Sequence, residues 1–436
     1  MQKIYIILKD ITESGGGERV CVNLSNAFSE IGFEVHIISL FRLEKDIAFS
    51  LNENINVRFL SHTTPKSKNP FKKLFNKSIY RYILSKKVDK IAQQEKPDIV
   101  LANDGWYIPT AKLDSIQYIR LWHLNAPKKI DKRKQKIFNL FDTLVVLSSR
   151  ELDKWQSYHK NVKVIPNFLP NISQKNTDSN QHRIISVGRM DRGDQKGFLR
   201  LIDIWEKVQE RIKAIHCHTK HISYHIKSST CHTERSEVSK NLETKKDISC
   251  LRTRTSEALA HTCKYDKITI QNGSHEKNLD SKETTHQKNL ESWQLIIVGD
   301  GVMKEQIESK IKAKNLQDTI ILKPFTKDIE KEYLNASIYA MTSHFEGFGM
   351  VLVEASSYAL PCIAFDIAAG PSDIIESHTS GYLIEDNDLQ DYADKLLTLM
   401  SDKQKRESMG LQAKQKVSIA FSKEAVMKLW QDIFNN

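Results

Sequence analysis

Short runs of apolar residues recur along the chain and alternate with longer segments of helical periodicity. In the first part of the chain these runs are KIYIIL, EVHIISL, PDIVLAND, SIQYIRLWH and TLVVLSS. Strands that alternate with helices form a parallel sheet covered by helices on both faces. The pattern begins again at residue 183 with RIISVGRM, QLIIVGDG, TIILKPF, ASIYAMTS and PCIAFD. The sequence therefore predicts an α/β protein with two doubly wound, Rossmann-like units in series.

The boundary between the two series falls at VIPNFLP (164–170), which contains Pro166 and Pro170. Proline interrupts regular backbone hydrogen bonding, so this segment is typical of a hinge. We predict one domain over residues 1–166 and a second over residues 167–415. Open parallel sheets bind ligands beyond the carboxyl ends of their strands, so two facing units would form a site in the cleft between them.

Positive charge is concentrated in one part of the chain. The 436 residues carry a net charge of +11, whereas residues 61–140 alone hold 18 Lys and Arg against 6 Asp and Glu. The remainder is therefore close to neutral, and the basic region favours anionic partners. Hydrophobic residues make up 40% of the chain, which is enough to form the cores of two domains.

Neither the first residues nor the cysteines indicate an exported protein. MQKIYIILKD places Lys3, Lys9 and Asp10 around a short apolar run, which is typical of a first strand and not of a secretory signal. No stretch reaches the roughly 18 uncharged apolar residues that a bilayer-spanning helix needs. The six cysteines form no CxxC pair, and we expect them to be reduced in a cytoplasmic protein.

A polar segment from about residue 211 to 292 interrupts the alternation. It follows the predicted helix FLRLIDIWEKVQE and has almost no helical or strand periodicity, so we interpret it as a mobile or disordered insertion. It holds four of the six cysteines and 8 of the 15 histidines, which raises the hypothesis of a zinc site. The alternative is that these cysteines and histidines reflect the composition of the segment and bind no metal. The wide spacing of the cysteines favours this alternative.

Two cations follow a strand in GRMDRGDQKGF (188–198). Arg189 and Lys196 are separated by a loop rich in Gly and Asp. A guanidinium and an ammonium at the carboxyl end of one strand suit a diphosphate. A solvated basic loop is the alternative.

Two glutamates eight positions apart lie in HFEGFGMVLVE (344–354). Glu346 falls in a loop, and Glu354 falls in the helix that the loop opens. Glycines let the backbone N–H groups of a helix start approach a negatively charged ligand. Glu346 is suited to accept hydrogen bonds from sugar hydroxyls, and Glu354 is suited to hold the two hydroxyls of a ribose. The alternative is that neither glutamate binds a ligand: Glu346 would be an ordinary acidic residue near the start of a helix, and Glu354 an acidic residue on the helix surface.

Taken together, these motifs resemble the retaining nucleotide-sugar glycosyltransferases of family 4, which have the GT-B fold. The resemblance includes ESGGGERVCVNLSNAF, VIPNFL, IIVGDG, YALPCIAFD and GPSDII…SGYLIE, in the order and spacing of the family. It covers nearly the whole chain except residues 211–292, where the family has a short turn. It also implies that the C-terminal segment 416–436 is a helix that returns to the first domain, and we expect Trp430 to anchor it.

The resemblance implies a role for each matching residue. Gly16 would donate its backbone N–H to the donor diphosphate, which Arg189 and Lys196 would neutralise. Glu354 would hold the ribose, and His123 in RLWHLNAP would lie near the transferred sugar, although an isolated histidine of this kind is more often a satisfied loop residue. Glu346 would hold that sugar and the distal phosphate together with the backbone of the next five residues, Gly347, Phe348, Gly349, Met350 and Val351. The tripeptide Pro324, Phe325 and Thr326 would lie near the base.

The resemblance also implies transfer with retention of configuration and a nucleoside diphosphate as leaving group. Arg189, Lys196 and a helix terminus can stabilise the leaving charge, so we expect no metal cofactor. The DxD pattern Asp386-Asn387-Asp388 follows a strand and is interpreted as a turn. The family points most often to UDP-hexoses, with GDP-mannose as an alternative.

The basic region contains FKKLFNKSIYRYILSKKVDKIAQQ (71–94), where Lys and Arg mix with apolar residues at helical spacing. Such a helix is typical of a membrane surface, and an equal alternative is a solvated helix whose apolar stripe joins the domain core. No recognisable nucleic-acid module surrounds it, so we predict no nucleic-acid partner. We expect a lipid-linked or polysaccharide or lipopolysaccharide acceptor, and an enzyme peripheral to the inner face of the cytoplasmic membrane.

The sequence is compatible with several alternative functions. A dinucleotide-dependent oxidoreductase is disfavoured, because SGGGER lacks the GxGxxG spacing and EVHIISLF ends without the ribose-binding acid. A GT-B sugar-nucleotide epimerase, a phosphorylase and a donor hydrolase would share the fold. A catalytically degenerate nucleotide-sugar binder is the non-enzymatic alternative, because the insertion interrupts the second domain.

Overall fold

A computed structural model describes residues 1–64, 70–127, 129–230 and 290–435, with the helical residues 70–76 and 216–230 described by their backbone alone. Residues 1–208 and 293–436 form one compact unit, and the described residues 209–230 and 290–292 lie outside it. The first unit contains two separate parallel sheets. The hypothesis of a zinc site in the insertion, and the prediction of its disorder, lie mainly on residues outside the described ranges.

The first sheet is built from residues before the predicted hinge and has the strand order β3-β2-β1-β4-β5-β6-β7, with every pairing parallel. Its strands are β1 Lys3–Leu8, β2 Glu34–Ser39, β3 Asn56–Phe59, β4 Ile99–Ala102, β5 Gln117–Trp122, β6 Thr143–Val146 and β7 Val162–Val164. The helices are α1 Gly16–Glu30, α2 Pro70–Glu95, α3 Lys132–Phe138 and α4 Leu152–Gln156.

Strand β1 shows why this part of the chain folds as a sheet between two helical layers. Ile4, Ile6 and Leu8 are buried in a core shared with α1, whereas Tyr5 and Ile7 are buried in the core beneath α2. Successive side chains of a strand point to opposite faces, so a fully apolar strand needs cover on both. The continuous apolar run therefore determines a central position in the sheet.

The second sheet has the strand order β10-β9-β8-β11-β12-β13 and is also parallel. Its strands are β8 Arg183–Val187, β9 Gln294–Val298, β10 Ile320–Lys323, β11 Ile338–Met341, β12 Cys362–Asp366 and β13 Gly381–Glu385. The remaining helices are α5 Phe198–Thr230, α6 Lys304–Ala313, α7 Ile329–Leu334, α8 Met350–Ser357, α9 Pro371–Ile374, α10 Leu389–Ser401, α11 Lys403–Ala420 and α12 Lys423–Phe434.

The predicted strands are confirmed, and two edge strands were missed. β3 and β7 lie at the two edges of the first sheet, where exposed and partly buried residues alternate and no continuous apolar run forms. The predicted start of the insertion near residue 211 agrees with a unit boundary after residue 208, but the expectation that the insertion lacks helical structure from its start was wrong, because α5 continues to Thr230. Residues 211–230 contain neither Gly nor Pro, so nothing in their sequence stops the helix.

The last helix, α12, packs against the first domain as the resemblance implies. Trp430 is 1% exposed and meets the ring of Phe28 of α1 edge-on at a centroid distance of 5.6 Å. The Gln117 side chain donates a hydrogen bond of 3.1 Å to the carbonyl of Ile433. These contacts tie the end of the chain to its first helix. In the part of the chain that the structure describes, no helix has the length and apolarity to cross a bilayer.

Candidate active site

The loop between β8 and α5 is held against the end of β11 by Gly197. This residue has φ +69°, and an added Cβ would lie 1.8 Å from the carbonyl oxygen of Thr342. Only glycine accepts both the left-handed conformation and the close approach. The Asp194 carboxylate receives the backbone N–H groups of Phe198 and Leu199, each at 2.9 Å, and so caps the start of α5. The loop thereby presents Lys196 to the loop after β11.

Lys196 and Glu346 form a largely buried ion pair. The Lys196 ammonium donates to Glu346 Oε1 at 2.7 Å, and the Ser343 hydroxyl donates to the same oxygen at 2.6 Å. Glu346 is 7% exposed. A carboxylate has about four lone-pair positions, so two donors leave capacity for hydroxyls of a ligand. The two sequence motifs, 150 positions apart, therefore meet at one point.

Arg200 stabilises the backbone of the loop that contains Glu346. Its guanidinium donates to the carbonyl oxygens of Thr342 and Ser343, the first at 2.5 Å, and to Asp386 Oδ1 at 2.8 Å. Asp388 accepts from backbone N–H groups at the start of α10. The DxD pattern therefore lies in a turn, as predicted, with its acids engaged by Arg200 and by a helix start. Among the described residues, no cluster of three or more His, Cys, Asp or Glu has a metal-binding arrangement.

The loop between β11 and α8 lies against the first domain. A Cβ added to Gly347 would lie 2.1 Å from the carbonyl oxygen of His123, and a Cβ on Gly370 would lie 2.0 Å from that of Phe348. Gly349 precedes α8 with φ +92°, and Met350 and Val351 form the first turn. The glycines thus allow the start of this helix to approach the end of β5, across the cleft between the two sheets.

Glu354 lies one turn into α8 and is contacted from both domains. Arg19 of α1 donates a hydrogen bond to Glu354 Oε1. The buried hydroxyl of Tyr333 donates to Oε2 at 3.3 Å. Burial first, and then the neighbouring carboxylate of Glu354, raises the pKa of Tyr333 well above its ordinary value, so the phenol keeps its proton and acts as a hydrogen-bond donor at neutral pH.

His123 directly follows β5 and is neutral. Burial lowers the pKa of the His123 imidazole to about 4. Its Nε2 lies 3.1 Å from Asn103 Oδ1, and the Asn103 amide nitrogen donates to the carbonyl of Gly17 at 3.1 Å. Because the amide nitrogen faces a carbonyl, Oδ1 is the acceptor and His123 carries its proton on Nε2. This network connects His123 to the glycine-rich start of α1.

Gly16 is the first residue of α1, and an added Cβ would meet nothing within 4 Å. Gly15 stands at the N-cap and provides no side-chain cap, and the Glu18 carboxylate accepts a hydrogen bond from its own backbone N–H in the first turn. The N–H of Gly16 belongs to the first turn, which has no partner within the helix. The position fits a ligand that approaches the backbone, as the resemblance implies.

Two predicted contributors stand apart from the buried pair. Arg189 has a side chain that is 77% exposed and lies 3.3 Å from Asp191, so the structure does not bring it onto a shared partner with Lys196. Phe325 is 69% exposed between Pro324 and Thr326 and donates its N–H to Asp300 at 2.7 Å. Arg189 and Phe325 are therefore exposed on the surface of the second domain. The roles of Arg189 and of the tripeptide in donor binding remain predictions.

Sequence reasoning missed Arg19, Tyr333, Asn103 and Ser343. Arg19 stands in the GGGER segment, so its position beside the glycines was a usable signal. Asn103 directly follows β4, so its position at the carboxyl end of a strand was also a usable signal. Tyr333 carries no such mark, because its role depends on a contact with Glu354, 21 positions away.

Two family descriptions match the chain. Residues 14–170 match "Glycosyltransferase Family 4", and residues 264–416 match "Glycosyl transferases group 1". The chain belongs to glycosyltransferase family 4. It is therefore a glycosyltransferase, and the alternative of a dinucleotide-dependent oxidoreductase is excluded. The resemblance stated from the motifs is confirmed.

Individual proteins agree with this family. The chain is 26% identical over its full length, and over the full length of the relative, to the amylovoran biosynthesis glycosyltransferase AmsD of Erwinia amylovora. It is 35% identical over 140 residues, 32% of this chain and 28% of the relative, to the poly(ribitol-phosphate) alpha-N-acetylglucosaminyltransferase of Staphylococcus aureus. Among solved structures, Anabaena HepE in complex with UDP and glucose aligns over the full length of both chains with TM-score 0.60 and 15% identity, which supports the GT-B fold.

Proposed function

We propose that this glycosyltransferase transfers a hexose or N-acetylhexosamine from a nucleotide sugar, with retention of configuration, to a lipid-linked, polysaccharide or lipopolysaccharide acceptor of the cell surface. One observation carries the proposal. A single loop and helix present Glu346 beside Lys196 and Glu354 beside Arg19, at the edge where the two sheets face each other. Two carboxylates on one rigid element suit the sugar and the ribose of one donor molecule.

The donor diphosphate would lie between the start of α1 and the start of α8. Both termini offer backbone N–H groups without partners in their helices. Lys196 adds a fixed positive charge close by, and its pairing with Glu346 holds the ammonium in place. Preorganised donors stabilise the negative charge that develops on a leaving diphosphate, which makes a metal ion unnecessary in this proposal.

His123 would contact the transferred sugar as a neutral donor or acceptor. Its proton is directed to Asn103, so Nδ1 is the atom left to accept a hydrogen bond from a sugar hydroxyl. A neutral ring beside the reacting carbon does not oppose the positive charge that accumulates on the sugar as the bond to the diphosphate breaks.

The acceptor class is supported by the names of related proteins. These include the poly(ribitol-phosphate) and amylovoran enzymes and a lipopolysaccharide 1,6-galactosyltransferase of Escherichia coli, which is 35% identical over 106 residues, 22% of this chain and 28% of the relative. A UDP-sugar is proposed as donor because the related HepE structure contains UDP and glucose.

Helix α2 supports a peripheral position on the inner, anionic face of the cytoplasmic membrane. Its apolar stripe of Leu84, Val88 and Ala92 is buried in the core of the first domain, so these apolar residues are explained by packing. Tyr82 and Ile83 remain about half exposed beside Lys86. Apolar side chains that alternate with lysines on an open surface suit the boundary of an anionic bilayer.

The test is a screen of nucleotide sugars by thermal shift, followed by mass spectrometry of the products. One UDP- or GDP-sugar should raise the melting temperature of the wild type, and the Glu354→Ala variant should lose the shift. Addition of one sugar to an acceptor supports transfer. Epimerised donor, free sugar alone or binding without any product would instead support the epimerase, the hydrolase or the degenerate binder.

A further inference from the structure

One ion pair joins the two domains at the proposed ribose site. Arg19 lies in the first turns of α1, and Glu354 lies in α8 of the other domain, 335 positions away. The Arg19 side chain is 40% exposed and the Glu354 side chain is 15% exposed. The arginine therefore keeps more exposed surface than the carboxylate.

The hydrogen bonds to Glu354 are divided between its two oxygens. Arg19 donates to Oε1, and Tyr333 donates to Oε2. Each oxygen has about two lone-pair positions, so each keeps one for a further donor. Two adjacent hydroxyls of a ribose would occupy those two positions, one on each oxygen. The two protein donors leave the carboxylate with one rotational orientation.

The charge of Arg19 is maintained despite its partial enclosure. Burial by itself lowers the pKa of the Arg19 guanidinium, but the adjacent Glu354 carboxylate more than offsets this, and the pKa is raised overall. An arginine that stays charged next to one carboxylate holds it by a charge-assisted hydrogen bond, which is stronger than a bond between neutral groups.

We infer that Arg19 is a positioning residue, which orients Glu354 for the ribose of the donor and links donor binding to closure of the two domains. The inference rests on the proposed function, because it requires that Glu354 hold a ribose. It extends that function to a residue of the opposite domain. Donor recognition then depends on both domains, since an open cleft separates Arg19 from Glu354 and frees the carboxylate to rotate.

A second interdomain ion pair provides a matched control. Arg150, just after β6, pairs with Asp366 at the end of β12, and their side chains are 39% and 34% exposed. Arg150 also contacts Ser372 at 3.2 Å. Arg150→Met removes an arginine–carboxylate pair between the same two domains without touching Glu354. It therefore separates general closure from the orientation of the ribose-binding carboxylate.

The test measures the dissociation constants of UDP and of 2′,3′-dideoxy-UDP by calorimetry for the full chain, and those of GDP and 2′,3′-dideoxy-GDP in the same way. The wild type should bind UDP at least tenfold more tightly than the dideoxy nucleotide, because the ribose hydroxyls are absent from the latter. Arg19→Met should weaken UDP binding by roughly tenfold and bring the ratio of the two constants close to one. Arg19→Lys, which keeps the charge, should restore part of the ratio, and Arg150→Met should keep it.

Each other result has a definite meaning. If Arg19→Met and Arg19→Lys both keep the wild-type ratio while Glu354→Gln loses it, the ribose site stands and the inference about Arg19 is overturned. If Arg150→Met reduces the ratio as much as Arg19→Met, Arg19 acts only through closure and the inference that it positions Glu354 is overturned. If the wild type binds UDP and GDP no better than their dideoxy forms, the proposed ribose site fails and the inference fails with it. Melting curves without nucleotide check that the variants are folded.

Discussion

The two domains place their functional residues in different ways. In the second domain, Lys196 and Glu346 form a buried ion pair. They lie on loops whose glycine residues allow close contact with neighbouring backbone. In the first domain, Gly16 faces open space and helix α2 exposes Tyr82 and Ile83. The difference indicates that the second domain supplies a rigid, preorganised part of the proposed donor site, whereas the first domain is more open, both at Gly16 of that proposed site and on α2. A donor of fixed shape benefits from preorganisation, whereas a large glycan acceptor needs an accessible surface.

The largest contrast is expected between two glycine substitutions. Gly197→Ala should lower the free energy of unfolding by roughly 3 kcal/mol or more, because the new Cβ collides with the Thr342 carbonyl at a left-handed φ. Gly16→Ala should change it by about 1 kcal/mol or less, and in the favourable direction, since alanine is the better helix former and nothing is in its way. Urea unfolding of both variants measures this. Equal effects would contradict the proposed difference in rigidity.

Lys196→Met should lower kcat/KM by about 10²- to 10³-fold, as expected when one preorganised donor to a developing anion is lost. The matched control is Lys310→Met, which removes a lysine paired with Asp203 at 2.6 Å on the outer helices α5 and α6. Initial rates with saturating acceptor distinguish the two. A Lys196 variant with the activity of the Lys310 variant would remove Lys196 from the donor site.

His123 should make stability depend on pH in a known direction. Its folded-state pKa of about 4 lies below the ordinary value near 6.5, so between these values the unfolded chain binds more protons. The contribution is fully present above about pH 6.5 and is lost as the pH falls toward 4. The difference in free energy of unfolding between wild type and His123→Gln should therefore grow in favour of the wild type from pH 5 to pH 7.5. A pH-independent difference would mean that His123 is not held neutral.

The smallest effect on stability is expected on the open face of α2. Ile83→Ser should change the free energy of unfolding by about 0.5 kcal/mol or less, whereas Val88→Ala, in the buried stripe of the same helix, should cost roughly 1–3 kcal/mol. Vesicle flotation should show the reverse order, with binding to anionic vesicles reduced in the Ile83 variant alone. Equal flotation on anionic and neutral vesicles would contradict a membrane role for this face.

The sequence by itself determined the architecture, because fully apolar strands such as KIYIIL admit only a position covered on both faces. It also marked Glu346, Glu354 and Lys196 as candidate site residues, because they stand in local motifs with a recognisable spacing. Edge strands β3 and β7 escaped prediction because partial exposure leaves no continuous apolar run.

Tertiary structure alone decided which residues meet. The Glu346–Lys196 pair, the contact of Arg19 with Glu354 and the hydrogen bond between His123 and Asn103 join groups 150, 335 and 20 positions apart. The neutral state of His123 depends on burial, which also comes only with the folded structure. Local patterns determine strands and helices because those depend on neighbours within a few residues. Ion pairs and the desolvation that shifts a pKa depend on distances in space, which the chain acquires only when both sheets have formed and the cleft between them has closed.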